Sequence, residues 1–485
     1  MVSGLLTAAL AAGTRSDQLP AEVDQRLPAL MLDPSQVSVF VQRVDDAAVH
    51  LTVNAEMARI PASVAKLVTS IAALDILGPD YRWQTEVLID GEIHDGHLVG
   101  DLFVKGYGDP YLTTEAYAAL IRAIRAKGIE HIDGNLIFDG SHLLPPASAR
   151  GDFDGAAERS YNALPAALSL NRQVTDLNIY HDRGTGRVGV YTEPPLSGLE
   201  IVNQANIVQA PCKPRYHRLT VTYDAPDGGA PSVKVGGSFA SECPDERIPR
   251  LVLSPERHAA AAFDALWRAL GGTIEGRVLL GSVNADALPF HRTESPPLGE
   301  VIRTVNKYSD NLMARMLFIA LGIERDGPPG DPAKSREVLN DWLAEQGLDF
   351  PGIYIDNGSG LSRDTRLSAS SIGELLVWAY HQPWMPELMA SLAVAGIDGT
   401  LSTRMRREPI AGRAHLKTGT VRDASSIAGY VLDAAGNRWV VVVLVNALPG
   451  ETLQAWRGHA VHHDLLRWVY DGAPLSEPRL RADEH

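Results

Sequence analysis

The sequence predicts an α+β protein in which one domain, an antiparallel sheet with packed helices, is interrupted by a large and mostly β insert. Residues 64–72 place apolar side chains at the i, i+3, i+4 and i+7 spacing of an amphipathic helix. Strand-like runs occur near both ends of the chain, at 37–53 and at 415–445. Between them, residues 145–253 are dominated by short β segments with Gly- and Pro-rich turns. The two ends therefore supply one domain, and the middle of the chain forms another structure.

The same features set the domain boundaries that we expect. Residues 13–85 and 290–485 would form the split domain, and residues 86–289 would form the insert, as two small domains. Residues 1–12 are interpreted as the remainder of a signal peptide, because an apolar run contains the small-residue cleavage pattern Ala9-Leu10-Ala11. No lysine or arginine precedes that run, so an amphipathic cap on the domain is the alternative.

Composition and charge limit the classes of function. The chain has 485 residues, of which 45% are hydrophobic and 21% charged, as in a globular protein with room for more than one core. A net charge of −15 argues against nucleic acid and against an anionic membrane surface as partners. No apolar run in the sequence reaches the ~20 residues that a membrane-spanning helix needs.

The two cysteines, Cys212 and Cys243, lie close together in the sequence, with Pro-rich and Gly-rich turns between them. If the protein is exported, an oxidising compartment permits a local disulfide between them. Two separate thiols are the alternative.

A serine and a lysine three residues apart lie at the start of the first predicted helix. On that helix Ser63 and Lys66 would share one face, with their Cβ atoms about 5–6 Å apart. A serine hydroxyl is a poor nucleophile until a base takes its proton. A lysine amine can be that base when burial or a neighbouring cation lowers its pKa. Alone the pattern is weak, because Ser-x-x-Lys arises by chance in most long chains and a polar helix start is the alternative.

Two further tripeptides strengthen this interpretation. Ser309-Asp310-Asn311 and Lys417-Thr418-Gly419 follow in this order along the chain. Ser-x-x-Lys, Ser-x-Asn and Lys-Thr-Gly together are the signature of penicillin-binding proteins and class A β-lactamases, in which the first serine is the nucleophile. A helix cap is the alternative for the Ser309 motif taken by itself.

Several longer segments extend the resemblance over nearly the whole chain. They are residues 106–113, 162–171, 308–311, 357–363, 396–401 and 417–420. The first begins Gly106-Tyr107-Gly108-Asp109-Pro110, and the fourth is Asn357-Gly358-Ser359-Gly360-Leu361-Ser362-Arg363. In these segments the chain resembles the D-alanyl-D-alanine carboxypeptidase/endopeptidase family, the low-molecular-mass class C penicillin-binding proteins of peptidase S13 type. The resemblance implies a β-lactamase/transpeptidase-like catalytic domain that is interrupted by an inserted region.

The resemblance also implies roles for the residues of the first two motifs. Ser63 would attack the carbonyl of a D-Ala-D-Ala bond or of a β-lactam, and Lys66 would take the serine proton. Ser309 would relay a proton to the leaving amine, and Asn311 would hold the substrate amide. No metal and no organic cofactor is expected.

The third motif would bind the substrate. Lys417 would place a positive charge beside the substrate carboxylate, with the hydroxyls of Thr418 and Thr420 as donors and Gly419 between them. A second cation in the site would also help to keep Lys66 neutral. The backbone N–H groups of Ser63 and Thr420 would form the oxyanion hole.

Two charged residues are expected to set the peptide preference. By resemblance, Arg363 and an acidic residue of the insert would contact the zwitterionic end of a diaminopimelate side chain, and Asp154 is the weaker match for the second. A guanidinium binds a carboxylate bidentately, and a carboxylate accepts from an ammonium. The chain departs from the family at Arg422, where some members carry a neutral polar residue. A structural ion pair is the alternative for Arg363.

The sequence therefore predicts a periplasmic or secreted serine peptidase that acts on peptidoglycan stem peptides and is inhibited by β-lactam antibiotics. A β-lactamase and a penicillin sensor that does not turn over are the alternatives. The balance of carboxypeptidase and endopeptidase activity stays open, as does the oligomeric state, for which a homodimer is one alternative.

Overall fold

A computed structural model describes residues 16–46, 48–224 and 230–473. The signal segment predicted at 1–12 lies outside these ranges. The described chain forms two compact units. The first contains the described residues up to Pro79, Ile302–Asp310 and those from Arg336 onward, and the second contains Asp80–Val301 and Asn311–Ser335.

The two units contain both helices and strands, numbered in chain order. The α-helices are α1 Ala21–Arg26, α2 Ala65–Ile76, α3 Thr114–Ala126, α4 Pro255–Ala269, α5 Leu298–Lys307, α6 Asn311–Asp326, α7 Pro332–Glu345, α8 Ala369–Tyr380, α9 Met385–Ser391 and α10 Ala455–Tyr470. The strands are β1 Val37–Arg43, β2 Val49–Val53, β3 Gln84–His94, β4 His97–Gly106, β5 His131–Ile132, β6 Leu136–Asp139, β7 Thr175–Asp182, β8 Arg187–Glu193, β9 Glu200–Asn203, β10 Asn206–Val208, β11 Arg218–Asp224, β12 Ser232–Ala240, β13 Glu246–Arg250, β14 Thr273–Ile274, β15 Val278–Leu280, β16 Leu288–Glu294, β17 Ala393–Val394, β18 Ala414–Val421, β19 Ala424–Leu432 and β20 Arg438–Asn446.

The first unit is built on an antiparallel sheet with the strand order β17-β18-β19-β20-β1-β2. The two ends of the chain meet in it, since Val39 of β1 pairs with Val443 of β20. Alternate strand residues such as Val39 and Val443 join a core with Val461 and Leu465 of α10. The helix α8 packs on β1 and β20. The predicted antiparallel sheet with packed helices is thus confirmed.

The helix that begins after Ser63 is buried more completely than its sequence pattern predicts. The pattern indicates one apolar face, but every residue from Ala65 to Leu74 is buried. The cause is packing against α8 and α9 of the same unit. Lys66 therefore lies in the protein interior, with no exposed surface.

The second unit contains the predicted β-rich segments together with the helices α3, α4 and α6. Its largest sheet has the order β14-β5-β4-β3-β16, with β6 paired to β4 and β15 paired to β6. The helix α3 packs against α4 in the adjoining core. The sheets β13-β7-β8 and β10-β12-β11 share a second core. A disulfide joins Cys212 to Cys243, whose Cα atoms are 4.6 Å apart.

The compact units and the predicted domains differ in their borders. The sequence predicts borders after residues 85 and 289, whereas the compact units divide after Pro79 and Val301. It also assigns α6 to the catalytic domain, but Leu312 and Met316 of α6 pack against Leu143 of the second unit. The division of the insert into two small domains stays a prediction. None of the helices in the described part of the chain is long and apolar enough to span a membrane.

Candidate active site

Ser63 lies in a short 3-10 turn that leads into α2. The residue before it, Ala62, has a φ of 47°, in the left-handed region that non-glycine residues rarely occupy. Two glycines pack directly on this turn. A Cβ atom on Gly360 would lie 1.9 Å from the Ala62 carbonyl oxygen, and one on Gly419 would lie 2.8 Å from the Ser63 nitrogen. Strained backbone persists only where its surroundings enforce it, and here two neighbouring backbones do so.

Lys66 is held against the Ser63 hydroxyl. Its Nζ donates to the Ser63 Oγ at 3.0 Å and to the Ser359 carbonyl oxygen at 2.6 Å. Ser359 is itself fixed by Asn357, whose Oδ1 accepts from the Ser359 amide at 3.1 Å and from its hydroxyl at 2.7 Å. The 357–363 segment thus orients the lysine, a role that its sequence does not reveal.

A second serine and lysine pair joins the other two motifs. Lys417 Nζ donates to the Ser309 Oγ at 2.9 Å and to the Thr418 carbonyl oxygen at 2.9 Å. Lys417 has no exposed surface, and burial lowers its pKa to about 7. Ser309 has a φ of 61°. A substrate carboxylate beside Lys417 would favour its protonated form, because an opposite charge stabilises a cation.

An ion pair supports the turn that carries Ser309. Lys307 Nζ donates to Asp398 Oδ2 at 2.6 Å and to the Leu392 carbonyl oxygen at 2.8 Å. Burial alone would raise the pKa of Asp398, but the hydrogen bonds from Lys307 and from the Val394 amide bring it below its usual value. This pair was missed at the level of sequence, because the two residues lie far apart in the chain.

The strand β18 offers a free edge beside these side chains. Its neighbour β17 pairs only with His415 and Leu416, so within the described ranges no strand flanks that side of β18 from Lys417 onward. The Thr418 hydroxyl donates to the Thr400 Oγ1 at 2.8 Å, and Thr420 is exposed. Thr400 lies in the 396–401 segment that resembles the family, but it belongs to none of the three motifs.

Arg363 lies at the surface of the first unit. Its Nη1 is 3.5 Å from Asp423 Oδ2, and 48% of its side chain is exposed. Exposed pairs at this distance contribute little to stability. The side chain is thus about half exposed, and the ion pair expected as the alternative is present.

Asn311 and Asp154 both belong to the second unit. Asn311 begins α6, and its Nδ2 donates to the Tyr161 carbonyl oxygen at 3.1 Å. The Asp154 carboxylate accepts hydrogen bonds from Ala156, Tyr161 and Asn162, all within its own loop. Asp154 is therefore engaged in ordering this loop, in addition to any contact with a substrate.

The first unit thus brings together a serine, Ser63, with a buried lysine on its hydroxyl, and a second serine on a second buried lysine. A nucleophile within hydrogen-bond reach of its base is the arrangement of covalent catalysis. In the described ranges, no group of three or more His, Cys, Asp or Glu side chains is placed to hold a metal ion. The fold and this site define a serine hydrolase in which lysine stands where many hydrolases use histidine.

Comparison with known proteins then gives the family. The chain belongs to the D-Ala-D-Ala carboxypeptidase 3 (S13) family, whose profile matches residues 19–463. It is 30% identical over 446 residues to a D-alanyl-D-alanine carboxypeptidase of Actinomadura sp. strain R39, covering 87% of this chain and 80% of that one. It is 24% identical to the D-alanyl-D-alanine carboxypeptidase DacB of Haemophilus influenzae, covering 92% of this chain and 91% of the relative.

The fold comparison agrees with the sequence comparison. The crystal structure of penicillin-binding protein 4 (dacB) from Haemophilus influenzae matches with a TM-score of 0.74 at 24% identity. The match covers 92% of this chain and 99% of that chain. The predicted β-lactamase/transpeptidase-like fold with an insert is therefore confirmed.

Proposed function

We propose that this protein is a serine-type D-Ala-D-Ala carboxypeptidase and D,D-endopeptidase that acts on peptidoglycan stem peptides through an acyl-enzyme on Ser63. The observation that carries the proposal is the 3.0 Å hydrogen bond between Lys66 Nζ and Ser63 Oγ. Membership of the S13 family supplies the substrate class. No metal or organic cofactor takes part in the proposed steps.

Acylation begins at the Ser63 hydroxyl. Neutral Lys66 takes the hydroxyl proton while Oγ attacks the carbonyl carbon of the bond between the two D-alanines. The resulting oxyanion would accept hydrogen bonds from the backbone N–H groups of Ser63 and Thr420. One such donor contributes on the order of 3 kcal/mol to the transition state. A Cβ atom on Gly419 would lie 2.8 Å from the Ser63 nitrogen, so a glycine here lets β18 approach the Ser63 amide.

The other motifs handle the leaving group and the carboxylate. Ser309, hydrogen-bonded to Lys417, would relay the proton that Lys66 took from Ser63 to the leaving D-alanine amine, which leaves Lys66 neutral for the second half of the reaction. Lys417 would pair with the substrate carboxylate, with Thr418 and Thr420 as further donors. Asn311 would hold the substrate amide. Water then hydrolyses the ester on Ser63, and the proton taken from water returns the serine to its starting state.

β-Lactams would acylate the same serine. Their amide takes the place of the D-Ala-D-Ala bond. Because the ring opens without releasing a fragment, the leaving amine stays attached to the acyl group and occupies the place that the hydrolytic water needs. A relative of the same fold is named a penicillin-binding protein. Slow release of the acyl group marks a peptidase, and fast release would mark the β-lactamase alternative.

The proposed substrate and the disulfide favour an exported location, in the periplasm or outside the cell. Disulfides persist in oxidising compartments. We include a homodimer in the proposal. Light scattering tests it, because a dimer in solution has twice the mass of the single chain.

The test uses purified muropeptides and mass spectrometry. Release of D-alanine from pentapeptides would show carboxypeptidase activity, and conversion of cross-linked dimers to monomers would show endopeptidase activity. Fluorescent penicillin should label the native protein and leave Ser63→Ala unlabelled, with the circular dichroism spectrum unchanged. Labelling that persists in Ser63→Ala, or intact muropeptides after incubation with the native protein, would contradict the proposal.

A further inference from the structure

The loop from Asp154 to Ala163 is closed by a single carboxylate. Asp154 Oδ1 accepts from the Ala156 amide at 3.0 Å and from Asn162 Nδ2 at 2.8 Å. Its Oδ2 accepts from the Tyr161 hydroxyl at 2.7 Å. Asn162 Nδ2 also donates to the Ala156 carbonyl oxygen at 2.9 Å. One acidic side chain thus fixes both ends of the loop.

The far end of this loop holds the first turn of α6. The Tyr161 carbonyl oxygen accepts from Asn311 Nδ2 at 3.1 Å, and the Ala163 carbonyl oxygen accepts from Arg315 Nη1 at 2.5 Å. Asn311 and Arg315 are four residues apart, so both lie on one face of the helix. The loop therefore contacts the helix at two successive turns through its backbone.

The contact with Tyr161 sets the orientation of the Asn311 amide. An amide nitrogen donates and an amide oxygen only accepts. A flipped amide would place its oxygen against the Tyr161 carbonyl oxygen, two acceptors in contact, and would lose the hydrogen bond. The amide oxygen must then point away from the loop for as long as the loop keeps its conformation.

We propose that Asp154 is a positioning residue that acts through Tyr161 and the 154–163 loop to hold the Asn311 amide in one orientation. This inference rests on the proposed function, in which Asn311 holds the substrate amide. It gives Asp154 a different role from the direct contact with a substrate ammonium that the family resemblance implies. The Tyr161 hydroxyl, first among several hydrogen bonds, lowers the pKa of the Asp154 carboxyl, so the accepting form is kept at neutral pH.

The two roles differ in which substrates are affected. A residue that binds an ammonium group influences only substrates that carry one. A residue that orients Asn311 influences every acylation, including that by benzylpenicillin, which has no ammonium group. We expect Asp154→Ala to slow acylation by benzylpenicillin about 10- to 100-fold, the scale of a misplaced active-site group. Asp154→Asn keeps the Oδ1 acceptor and offers an amide N–H that the Tyr161 hydroxyl can accept, so it should recover much of the rate.

A double-mutant cycle separates positioning from general damage. In an Asn311→Ala background there is no amide left to orient, so Asp154→Ala should cause no further loss. Asp152→Ala is the matched control. The Asp152 carboxylate accepts from the Ala149 amide, which precedes the loop in the sequence and is not part of 161–163. Thermal midpoints of all variants report folding.

Different outcomes test the positioning role of Asp154 and the proposed function. Labelling of the native protein at Ser63 and its decline in Asn311→Ala test the proposed function. Equal losses from Asp154→Ala in both backgrounds, or a loss confined to substrates with an ammonium group, would overturn the positioning role. A loss on benzylpenicillin that disappears in the Asn311→Ala background would establish it.

Discussion

Lys417 donates a 2.9 Å hydrogen bond to the hydroxyl of Ser309, so the lysine of one motif is anchored by the serine of another. The ammonium lies in the interior of the first unit, where burial lowers its pKa to about 7. A group with this pKa changes its charge within the physiological range. We therefore expect the anion-binding step of the proposed reaction to depend on pH.

The first prediction follows from that titration. Because the protonated fraction of Lys417 falls as the pH rises through about 7, acylation by benzylpenicillin should slow on the alkaline side of neutrality. The methyl ester of the same penicillin has no carboxylate to pair with Lys417. Its acylation rate should be lower than that of benzylpenicillin and should not decrease as the pH rises through about 7. Rates measured by competition with a fluorescent penicillin provide the test. If the acylation rates of the acid and the ester decrease identically at alkaline pH, the decrease belongs to a group other than Lys417.

A second prediction concerns the glycine of the third motif. In Gly419→Ala the new Cβ would lie 2.8 Å from the Ser63 nitrogen and from the Pro61 carbonyl oxygen, so the strand or the nucleophile must move. We expect acylation to slow about 100-fold. Gly151→Ala, whose Cβ meets nothing closer than 3.7 Å, is the control. Native acylation rates in Gly419→Ala would show that the close approach is not needed.

The third prediction tests the support of the Ser309 turn. Asp398→Ala leaves the Lys307 ammonium, 9% exposed, without its carboxylate. We expect the free energy of unfolding in urea to fall by about 1–3 kcal/mol, less than for a fully buried pair because Asp398 is partly exposed. Since the folded pKa of Asp398 is lowered, its contribution is present at neutral pH and is lost on acidification through that pKa.

Asp364→Ala, which removes an exposed carboxylate of the same unit, is the control for this experiment. A difference between Asp398→Ala and the native protein that stays constant down to strongly acidic pH would contradict the assignment.

A fourth prediction addresses the choice of peptide. Arg363→Ala should lower kcat/KM for diaminopimelate peptides by about 1–3 kcal/mol of transition-state binding, the scale of a lost charged hydrogen bond. Acylation by a small penicillin should change far less. Asp423→Ala removes one charged partner of Arg363 and keeps the guanidinium itself. If it reproduces the whole effect of Arg363→Ala on both substrates, Arg363 supports the fold and does not bind the peptide.

The fifth prediction concerns the disulfide. Peptide mapping of exported protein without reductant should show Cys212 cross-linked to Cys243. Replacing both cysteines by alanine should lower the free energy of unfolding by about 2–4 kcal/mol, since the bridge closes a loop with a sequence separation of 31 residues. Two free thiols in material isolated after export would refute the prediction.

The side chains to which the proposed mechanism assigns chemistry are predictable from the sequence. Ser63 with Lys66, and Lys417 with Ser309, are residue types that the proposed reaction requires, so their motifs are visible without a structure. The Ser359 carbonyl that binds Lys66 is not predictable in this way, because every residue has a carbonyl group. The only local signal is the glycine-rich 357–363 segment, which indicates an unusual backbone.

Other elements depend on distant packing. The pairing of Lys307 with Asp398 joins residues 91 positions apart, and neither residue belongs to one of the three motifs. The burial of α2 on every side is likewise not visible in its own spacing, because it results from α8 and α9. The strands at the two chain ends are predictable, since their apolar runs are long and bounded by turns.

The free edge of β18 has a consequence for selectivity. An extended peptide beside Lys417 to Val421 would lie along an edge that no described strand covers, and its backbone could add to the sheet as one more strand. Such an edge recognises the repeating amides that every peptide carries, and it is indifferent to the side chains between them. Discrimination between peptides must then come from the groups at the ends of that strand. A peptide that cannot adopt an extended conformation would not bind along the edge, whatever its side chains.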